Sequence, residues 1–530
     1  MAQLMVSSLR FYLGVLAALC VFVAIRFYRR RPRVPSNLPI LNISTLSSNR
    51  GDTADIEAYE KNGSQVMQHG YNEYSRKGRN YLMKTREGLV FVAAPRFIEE
   101  IRTARDDVLS AMIINNGTLQ VKYTLHRILH DDWYEFNVIG KQLTQHLGPG
   151  LLDIVDECHN AFTQEVATPI DWTSKPMWPI AVRIVTRTAN RLLFGEKLAA
   201  NDDFLQLCIN YTYTVFGGAH AIRKYPGFLR PLMLRFKTGI VEQRAAVKKH
   251  LAPLFEERIH SMQEAEGTGR TAAYEAQKPK DAVQWVLDIT PPEKMDIEVL
   301  MYRMIHIIVS AIHTSSVTYL EAIYDLALHP EIHEELRQEI VSVMDQEGKF
   351  TKQGLTKMIK MDSLMKESAR WHPFLSGTLE RQAMRDFKLS DGSIITKGTK
   401  VTVPHYAMYF DEEVYGSKAS VFDAFRFSKM RTEPGTESKH SFVQCTPTFA
   451  HFGYGKNACP GRFFAATEIK VLLVYTLSMF DVRFPKGQPE PVSHWNGEFR
   501  MADMSLEVEW KVREQPLLRL DQVVKPVYYE

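Results

Sequence analysis

The chain has few cysteines and no long basic stretch, and each absence excludes a class of protein. Five cysteines in 530 residues, odd in number and widely spaced, do not make a disulfide framework and suit a reducing compartment. A net charge of +4 at pH 7, without a basic stripe in the body of the chain, argues against nucleic acid as a partner. Neither G-x-S-x-G nor a Walker loop occurs, so two common enzyme signatures are missing. At least one free cysteine therefore needs a chemical role.

The first 50 residues predict a membrane anchor followed by a linker. An apolar run from residue 11 to residue 25 is extended by Phe27 and Tyr28, which approaches the roughly 20 residues of a membrane span if Arg26 snorkels. Basic residues cluster after this run, whereas a cleaved signal peptide carries its charges before the apolar core. We therefore expect residues 1–28 to form a single-pass anchor in the endoplasmic reticulum membrane. Residues 29–50 would be a basic, proline-containing linker, and the remainder would be cytosolic.

Residues 51–530 contain no repeat, low-complexity stretch or second linker, which predicts one catalytic domain. Helical patterns dominate, and short strands are expected mainly before residue 110 and between residues 380 and 405. The segment 296–328 has no proline or glycine and is apolar on most faces, so it predicts a long, central, buried helix. Arg303, His306 and His313 argue against a second membrane span there. Asp391 and Gly392 predict a hairpin turn.

Cys459 lies in a glycine-containing loop, residues 452–465 (FGYGKNACPGRFFA), just before a predicted helix. Free backbone N–H groups and the dipole at a helix start favour a thiolate over a thiol. Gly455 permits a tight turn, Gly461 allows a flat macrocycle to approach the backbone, and Phe452 can shield the sulfur from water. A thiolate held in this way pushes electron density onto a haem iron and favours O–O cleavage.

Phe452, Gly455, Cys459 and Gly461 occupy every fixed position of F-x-x-G-x-x-x-C-x-G, and the chain resembles the cytochrome P-450 family over residues 50–510. The resemblance implies a mainly α fold with small β-sheets. It also implies haem b bound between the long central helix and the cysteine loop, with Cys459 as the axial ligand of the iron. One alternative is a buried cysteine in an ordinary turn. Another is a dinucleotide fingerprint at residues 453–458, which lacks a βαβ unit.

Glu367 and Arg370 lie three residues apart on one predicted helix face, where an exposed pair would be an ordinary surface salt bridge. The resemblance implies that they are the family's E-x-x-R pair, buried and completed by Arg426. In that role the three residues form a structural latch that holds the loop leading to the cysteine. The resemblance also implies that Arg381 binds a haem propionate.

Two positions depart from the family pattern for the haem carboxylates. Asn457 stands where many members carry an arginine or a histidine, and Trp133 is followed four residues later by Asn137 instead of an arginine. Lys141 and His146 are candidate substitutes. The residues that bind the propionates are thus less well defined by the sequence than the iron ligand.

Residues 310–315 (SAIHTS) resemble the family's oxygen-binding stretch, A-G-x-acid-T-T. The resemblance implies that Thr314 hydrogen-bonds dioxygen at the haem and passes protons to it, while the alternative is a hydrogen bond to its own helix backbone. His313 replaces the usual acid, and an imidazole with an ordinary pKa can relay protons near neutral pH. Alternatively, His313 packs against the next helix or faces the substrate.

The resemblance implies a monooxygenase that inserts one oxygen atom from O2 into an apolar small molecule. Electrons would come from NADPH through a separate reductase, whose acidic surface would meet basic residues near the cysteine loop: Lys429, Arg431, Lys456 and Arg462. Similarity of two motifs to fungal secondary-metabolism members suggests a terpenoid or related substrate. Candidate pocket residues are apolar: Ile113, Ile114, Phe374, Leu375 and Met501 to Met504. Rival hypotheses are an isomerase or dehydratase of the same fold that needs no reductase, and a non-catalytic haem-binding membrane protein.

Two further segments contain residues that suggest a membrane contact or a metal site. Tyr225–Met233 mixes apolar residues with five neighbouring positive charges that are hard to bury, which predicts a loop dipping into an anionic membrane surface; a buried loop is the alternative. His126 and His130 lie four residues apart beside two aspartates and superficially suggest zinc. Because no second ligand cluster accompanies them, a zinc site there is not expected.

Overall fold

The computed structural model describes residues 37–43 and 52–523, together with Gly14. The predicted anchor (1–28) and linker (29–50) lie largely outside the described residues. The chain divides into two compact units. The sheet unit comprises residues 1–114, 376–407 and 496–498, and the helical unit comprises residues 115–375, 408–495 and 499–530. The boundaries predicted for anchor, linker and catalytic domain stay predictions.

Helices dominate the described residues, and the strands are short, so the prediction of a mainly α protein with small β-sheets is confirmed. The α-helices are α1 (Asp52–Lys61), α2 (Gly63–Glu73), α3 (Ile98–Thr103), α4 (Ala111–Leu119), α5 (Val121–Thr124), α6 (Glu135–Val138), α7 (Thr144–His146), α8 (Leu151–Glu165), α9 (Met177–Phe194), α10 (Glu196–Ala199), α11 (Asp202–Arg223), α12 (Arg230–Lys237), α13 (Ile240–Gly267), α14 (Thr271–Gln277), α15 (Ala282–Ile289), α16 (Ile297–Leu328), α17 (His333–Glu347), α18 (Lys352–Lys357), α19 (Ile359–Trp371), α20 (His405–Tyr409), α21 (Glu412–Tyr415), α22 (Arg426–Met430), α23 (Arg462–Met479) and α24 (Leu520–Val523). A π-helical turn, Ile139–Leu143, joins α6 to α7.

The strands are β1 (Tyr81–Thr85), β2 (Gly88–Val92), β3 (Leu109–Ser110), β4 (Thr173–Pro176), β5 (Thr378–Ala383), β6 (Phe387–Lys388), β7 (Ile394–Ile395), β8 (Lys400–Val403), β9 (Phe480–Arg483), β10 (His494–Asn496), β11 (Phe499–Met501) and β12 (Glu507–Val512). In the sheet unit, five strands form one sheet in the order β1-β2-β8-β5-β3. Strand β6 pairs with β7 in a hairpin whose Gly392 has φ +87°, in agreement with the predicted turn. In the helical unit, β12 pairs with both β4 and β9.

Helix α16 runs through the core of the helical unit. It begins after Asp296, whose side chain accepts a hydrogen bond from the Val299 N–H at 3.1 Å, and ends at Leu328, shortly before Pro330. Both ends follow from a capping acid and a proline that cannot continue the helix. Helices α9, α11, α13, α19 and α23 all pack on it. Among the described residues, α16 is the one helix long and apolar enough to cross a membrane, yet 67% of that apolar stretch is buried inside the protein.

Candidate active site

The residues before Cys459 fold into a tight loop in the helical unit. Gly453 and Gly455 have φ values of +75° and +79°, which side chains with a Cβ rarely adopt. The Cys459 N–H donates to the Phe452 carbonyl at 2.7 Å and closes the loop. The Phe452 ring packs edge-on against Phe442, with 5.0 Å between centroids. The turn expected at Gly455 is therefore present, and the shielding of the sulfur by Phe452 stays a prediction.

The Cys459 thiol sits just ahead of α23. The backbone N–H groups of Gly461 and Arg462 and the Arg462 charge all lower the pKa of this thiol, as expected at a helix start. Desolvation is the larger effect and raises the pKa: although Cys459 has an exposed surface, protein atoms crowd its sulfur. The N–H groups at the helix start thus act in the expected direction, and desolvation outweighs them. A metal ion bound to the sulfur would supply the missing stabilisation, because coordinated thiols are deprotonated.

The surroundings of Cys459 fit a haem iron. The thiol has an open side and receives two backbone N–H groups, and hydrogen bonds to the sulfur are a usual way of tuning thiolate-bound iron. A Cβ added at Gly461 would stand 3.9 Å from the Cys459 sulfur and 3.4 Å from Ile139, so a side chain there would fill the space beside the ligand atom. Glycine keeps this surface flat, which a macrocycle requires.

None of the described residues, His126 and His130 included, makes a group of three or more His, Cys, Asp or Glu able to hold a metal ion. His126 stacks on Tyr302 at 5.8 Å between ring centroids. His130 contacts Asp131 at 2.6 Å. The two histidines are thus engaged by different partners.

An exposed stripe interrupts the buried surface of α16 at the predicted oxygen-binding stretch. Ser310 and Thr314 are exposed and Val317 is half-buried, whereas most of the helix between residues 299 and 327 is buried. Spacings of four and seven residues place the three on one helix face. The Thr314 hydroxyl donates to the Ser310 carbonyl at 2.9 Å, so the alternative bond to the helix backbone is present. The hydroxyl oxygen can still accept a hydrogen bond, and a role in oxygen chemistry stays a prediction.

His313 departs from what the sequence suggested. Its ring packs edge-on against Tyr213 and Trp178, at 4.5 Å and 5.7 Å between centroids, and neither ring nitrogen has a hydrogen-bond partner among the described residues. Burial lowers the pKa of His313 to about 4. The assumption of an ordinary pKa is therefore wrong, because the ring is uncharged between pH 6 and 8. The structure supports the alternative that His313 packs against neighbouring helices α9 and α11.

Glu367, Arg370 and Arg426 meet in the interior of the helical unit. The Arg370 guanidinium binds both Glu367 carboxylate oxygens at 2.8 Å, and Arg426 Nε donates to the same carboxylate at 3.1 Å. All three residues are buried. The remaining arginine N–H groups donate to backbone carbonyls of Tyr409, Lys418, Ala419 and Val421. The carboxylate thereby fastens α19 to the segment 409–426, as a latch requires.

The candidates for the haem carboxylates have different environments. Arg381 lies buried in β5 of the sheet unit, where Nη1 donates to the Glu380 carbonyl at 2.8 Å and desolvation lowers its pKa. His146 stacks on Trp285 at 4.6 Å and contacts the Gln142 carbonyl, so its ring is occupied. Lys141 is exposed on the π-helical turn. A propionate-binding role for Arg381 stays a prediction.

Glu468, which the sequence-based expectations do not include, lies fully buried on α23. The Thr188 hydroxyl donates to its carboxyl at 2.8 Å. Burial raises the pKa of Glu468 to about 8, against smaller opposite effects of the Thr188 and Ser315 hydroxyls. The signal was present in the sequence, since Glu468 interrupts an otherwise largely apolar helix.

A protein-family comparison settles the class of the chain. The cytochrome P450 family model matches residues 58–510. The chain belongs to the cytochrome P450 family. A haem-iron cofactor follows from that membership, and the exposed Cys459 thiol with its two N–H donors is where the iron would bind.

Curated fungal cytochrome P450s resemble the chain over most of its length. Cytochrome P450 monooxygenase 103 of Postia placenta is 29% identical over 93% of this chain and 97% of its own length. Cytochrome P450 monooxygenase olcJ of Penicillium canescens is 33% identical over 79% of this chain and 78% of its own length. Cytochrome P450 monooxygenase AN1598 of Emericella nidulans is 32% identical over 80% of this chain and 78% of its own length. These relatives support an oxidoreductase of the monooxygenase type.

Proposed function

We propose that the protein is a membrane-bound monooxygenase that inserts one atom of O2 into an apolar small molecule, a terpenoid or related fungal metabolite, with electrons from NADPH through a separate reductase. The observation that carries the proposal is the Cys459 site, where an exposed thiol with two N–H donors stands beside the flat surface at Gly461. The three fungal relatives reported above are each named a cytochrome P450 monooxygenase.

The haem, when bound, supplies oxygen activation, and the chain's own residues hold and protect it. The N–H groups of Gly461 and Arg462 stabilise negative charge on the Cys459 sulfur. The latch at Glu367 fixes the chain that leads into the cysteine loop. Thr314 places an exposed hydroxyl on α16, where it can hold a proton for transfer to an oxygen atom.

The candidate pocket residues support an apolar substrate. In the helical unit, Phe374, Leu375 and Met504 are half-buried and Met501 is 40% exposed. In the sheet unit, Ile113 and Ile114 are also half-buried. Partly exposed apolar side chains of this kind bind molecules with few polar groups. A terpenoid would satisfy this requirement.

The segment around α12 supports contact with a membrane. Phe228, Leu232 and Phe236 are 81%, 47% and 73% exposed. Leu232 and Phe236 share one face of α12 because they lie four residues apart, and Phe228 lies in the turn just before the helix. Exposed apolar side chains in such an array insert into a lipid surface. An apolar substrate dissolved in the membrane would then meet the protein at this face.

Two of the five positive charges around this segment are hydrogen-bonded to other parts of the protein. Arg223 donates to the Thr118 carbonyl at 3.0 Å, and Arg230 donates to the Tyr225 carbonyl and to Gln120. Both arginines are only half-buried, and the predicted contact of this segment with a membrane stays a prediction. Arg235 and Lys237 are exposed and remain suited to anionic lipids.

Two of the four basic residues proposed to contact the reductase are paired with acids of this chain. Arg431 is largely shielded and donates to Asp362 at 3.1 Å, and Lys429 pairs with Asp423 at 2.9 Å. Lys456 is exposed within the cysteine loop itself and stays a candidate for contact with an acidic partner.

The test combines a spectrum with turnover. The reduced protein with carbon monoxide should show the red-shifted Soret band of a haem-thiolate, and NADPH with a fungal reductase should support product formation from a terpenoid panel. A haem-thiolate that converts an oxygenated lipid without NADPH would favour the isomerase or dehydratase. Haem binding without any turnover would favour the non-catalytic protein. Fractionation of the tagged full chain would test the proposed endoplasmic reticulum location.

A further inference from the structure

Arg500 lies at the centre of a buried hydrogen-bonded cluster in the helical unit. Its guanidinium donates to Glu321 Oε1 at 2.5 Å and to His372 Nδ1 at 2.9 Å, and Nε donates to the Ser493 hydroxyl at 3.1 Å. The Arg500 backbone N–H donates to the Phe374 carbonyl at 2.9 Å. The Arg500 and Glu321 side chains are only 8% and 3% exposed, so solvent screens their interaction little.

The directions of these bonds fix the state of His372. An arginine has no acceptor, so His372 Nδ1 must accept the proton from Arg500. His372 Nε2 then carries the ring proton and donates it to Asp325 Oδ1 at 2.9 Å. Glu321 and Asp325 lie one turn apart on α16. Arg500 and His372 therefore bind two adjacent acids of the same helix.

The cluster fastens two apolar segments to α16. The first is 372–375, held through His372 and the Phe374 carbonyl. The second is β11 (Phe499–Met501), which contains Arg500, and an isolated antiparallel bridge between Leu375 and Phe499 joins the two segments directly. Arg500 thus ties both segments to the helix, through its guanidinium to Glu321 and His372 and through its backbone N–H to Phe374.

These segments lie close to the residues of the proposed chemistry. Glu321 follows Thr314 by two helical turns, so the two share a face about 10 Å apart along the axis. The Phe374 ring lies 5.1 Å from the ring of His451, the residue before Phe452 in the cysteine loop. The segment 372–375 therefore contacts both the cysteine loop and the cluster on the Thr314 face of α16.

We propose that Arg500 is a positioning residue for the substrate, which holds Phe374–Leu375 and Phe499–Met501 as walls that decide which part of a bulky apolar molecule faces Thr314. The inference rests on the proposed function. An apolar molecule offers few polar groups by which it could be oriented, so the shape of the walls must select the position that is oxidised. The Arg500 side chain binds a glutamate, a histidine and a serine hydroxyl at fixed angles, which the planar guanidinium provides and a lysine does not.

The test uses the full-length protein loaded with haem and two probes that bind haem iron through an imidazole nitrogen. Imidazole itself touches only the iron site, whereas clotrimazole carries three aryl rings that must fit the walls. Dissociation constants are measured from the shift of the Soret band. The variant Arg500→Met/Glu321→Gln removes both charges and avoids a stranded buried carboxylate. Arg513→Met is the control, because Arg513 also pairs with an acid, Asp481, at 3.2 Å but lies at the end of β12.

The double variant should bind clotrimazole at least tenfold more weakly and imidazole within twofold of the wild type. Arg500→Lys should recover part of the clotrimazole affinity, and Arg513→Met should change neither constant. An unchanged ratio of the two constants in the double variant would overturn the inference. Parallel loss of both probes, or loss of haem, would show that Arg500 only holds the fold together. If the wild type itself lacks the haem-thiolate spectrum, the proposed function is contradicted, independently of the role of Arg500.

Discussion

The hydroxyl of Thr188 on α9 donates a 2.8 Å hydrogen bond to the carboxyl of Glu468 on α23, inside the core of the helical unit. The raised pKa of Glu468, about 8, means that the folded protein keeps this proton at neutral pH. The unfolded chain releases it near the ordinary value of 4.5. Between these two values the unfolded state binds fewer protons than the folded one, so stability falls as pH rises.

Glu468→Gln should therefore gain stability over the wild type as pH rises from about 4.5 to about 8. The variant's unfolding free energy minus that of the wild type should be smallest at the acid end of this pH range. Within the range, this difference should rise by at most about 1.4 kcal/mol per pH unit. Urea unfolding across this range measures it, with the exposed Glu490→Gln as control. A difference that stays flat with pH would show that the carboxyl is ionised in the fold.

Cys459→Ala should abolish the red-shifted Soret band of the reduced carbon monoxide complex. The thiol is the one ligand that the loop presents, and alanine offers the iron no donor atom. Cys445→Ala, which removes a half-buried cysteine of the same region, should keep the band. Persistence of the band in Cys459→Ala would assign the ligand elsewhere.

Glu367→Ala should yield unstable protein with little haem, rather than intact but slow enzyme. The substitution leaves Arg370 and Arg426 buried without their counter-charge, which costs about 3–5 kcal/mol. Glu99 and Arg102 form a matched control, because they repeat the same spacing on the exposed surface. Glu99→Ala should lose much less stability, since exposed pairs contribute little. Haem content and urea unfolding of both variants decide the point, and a haem-loaded, stable Glu367→Ala protein would contradict the latch.

Thr314→Ala and His313→Phe should have different effects on coupling. Without the Thr314 hydroxyl, NADPH should be consumed with release of peroxide and little product. His313→Phe should leave the pH dependence of turnover between pH 6 and 8 unchanged, because a histidine with a pKa of about 4 does not titrate there. Both predictions are tested by measuring the product and the peroxide formed per NADPH consumed, for both variants, across this pH range. A flattened pH dependence of turnover in His313→Phe would show that His313 takes part in proton delivery.

Phe228→Ser/Phe236→Ser should weaken binding to phosphatidylserine-containing vesicles in a chain truncated before Arg29. The two side chains are the most exposed of the apolar face around α12, and their loss removes apolar area that would enter the lipid. Ile170→Ser/Val492→Ser is the control, because these residues are 78% and 70% exposed elsewhere. Co-sedimentation with vesicles gives the answer. Equal binding by all three proteins would mean that α12 makes no membrane contact.

The sequence predicted features whose residues are neighbours in the chain. The glycine-containing loop at Cys459, the pair Glu367 and Arg370, and the unbroken apolar run of α16 each have a local signature. Backbone conformation and helix spacing follow from such signatures directly. These elements were therefore found where they were expected.

Environments built by distant segments could not be predicted in this way. Trp178 and Tyr213 come from α9 and α11, and together they desolvate His313, which lowers its pKa. Arg223 and Arg431 looked like free charges until the structure showed their acceptors. Arg500 and Glu321 are far apart in sequence, and nothing in either local stretch marks them as partners. Burial of polar groups depends on tertiary packing, which a single sequence does not show.

The latch also sets an order of events during synthesis. Arg426 follows Glu367 by 59 residues, so at about 5–20 residues per second Glu367 and Arg370 wait roughly 3–12 seconds for their third partner. Cys459 is made later still. The nascent chain therefore contains all three latch residues before it contains the thiol. Mutations that weaken the latch should then reduce the yield of loaded protein by leaving the nascent chain open to proteases and aggregation.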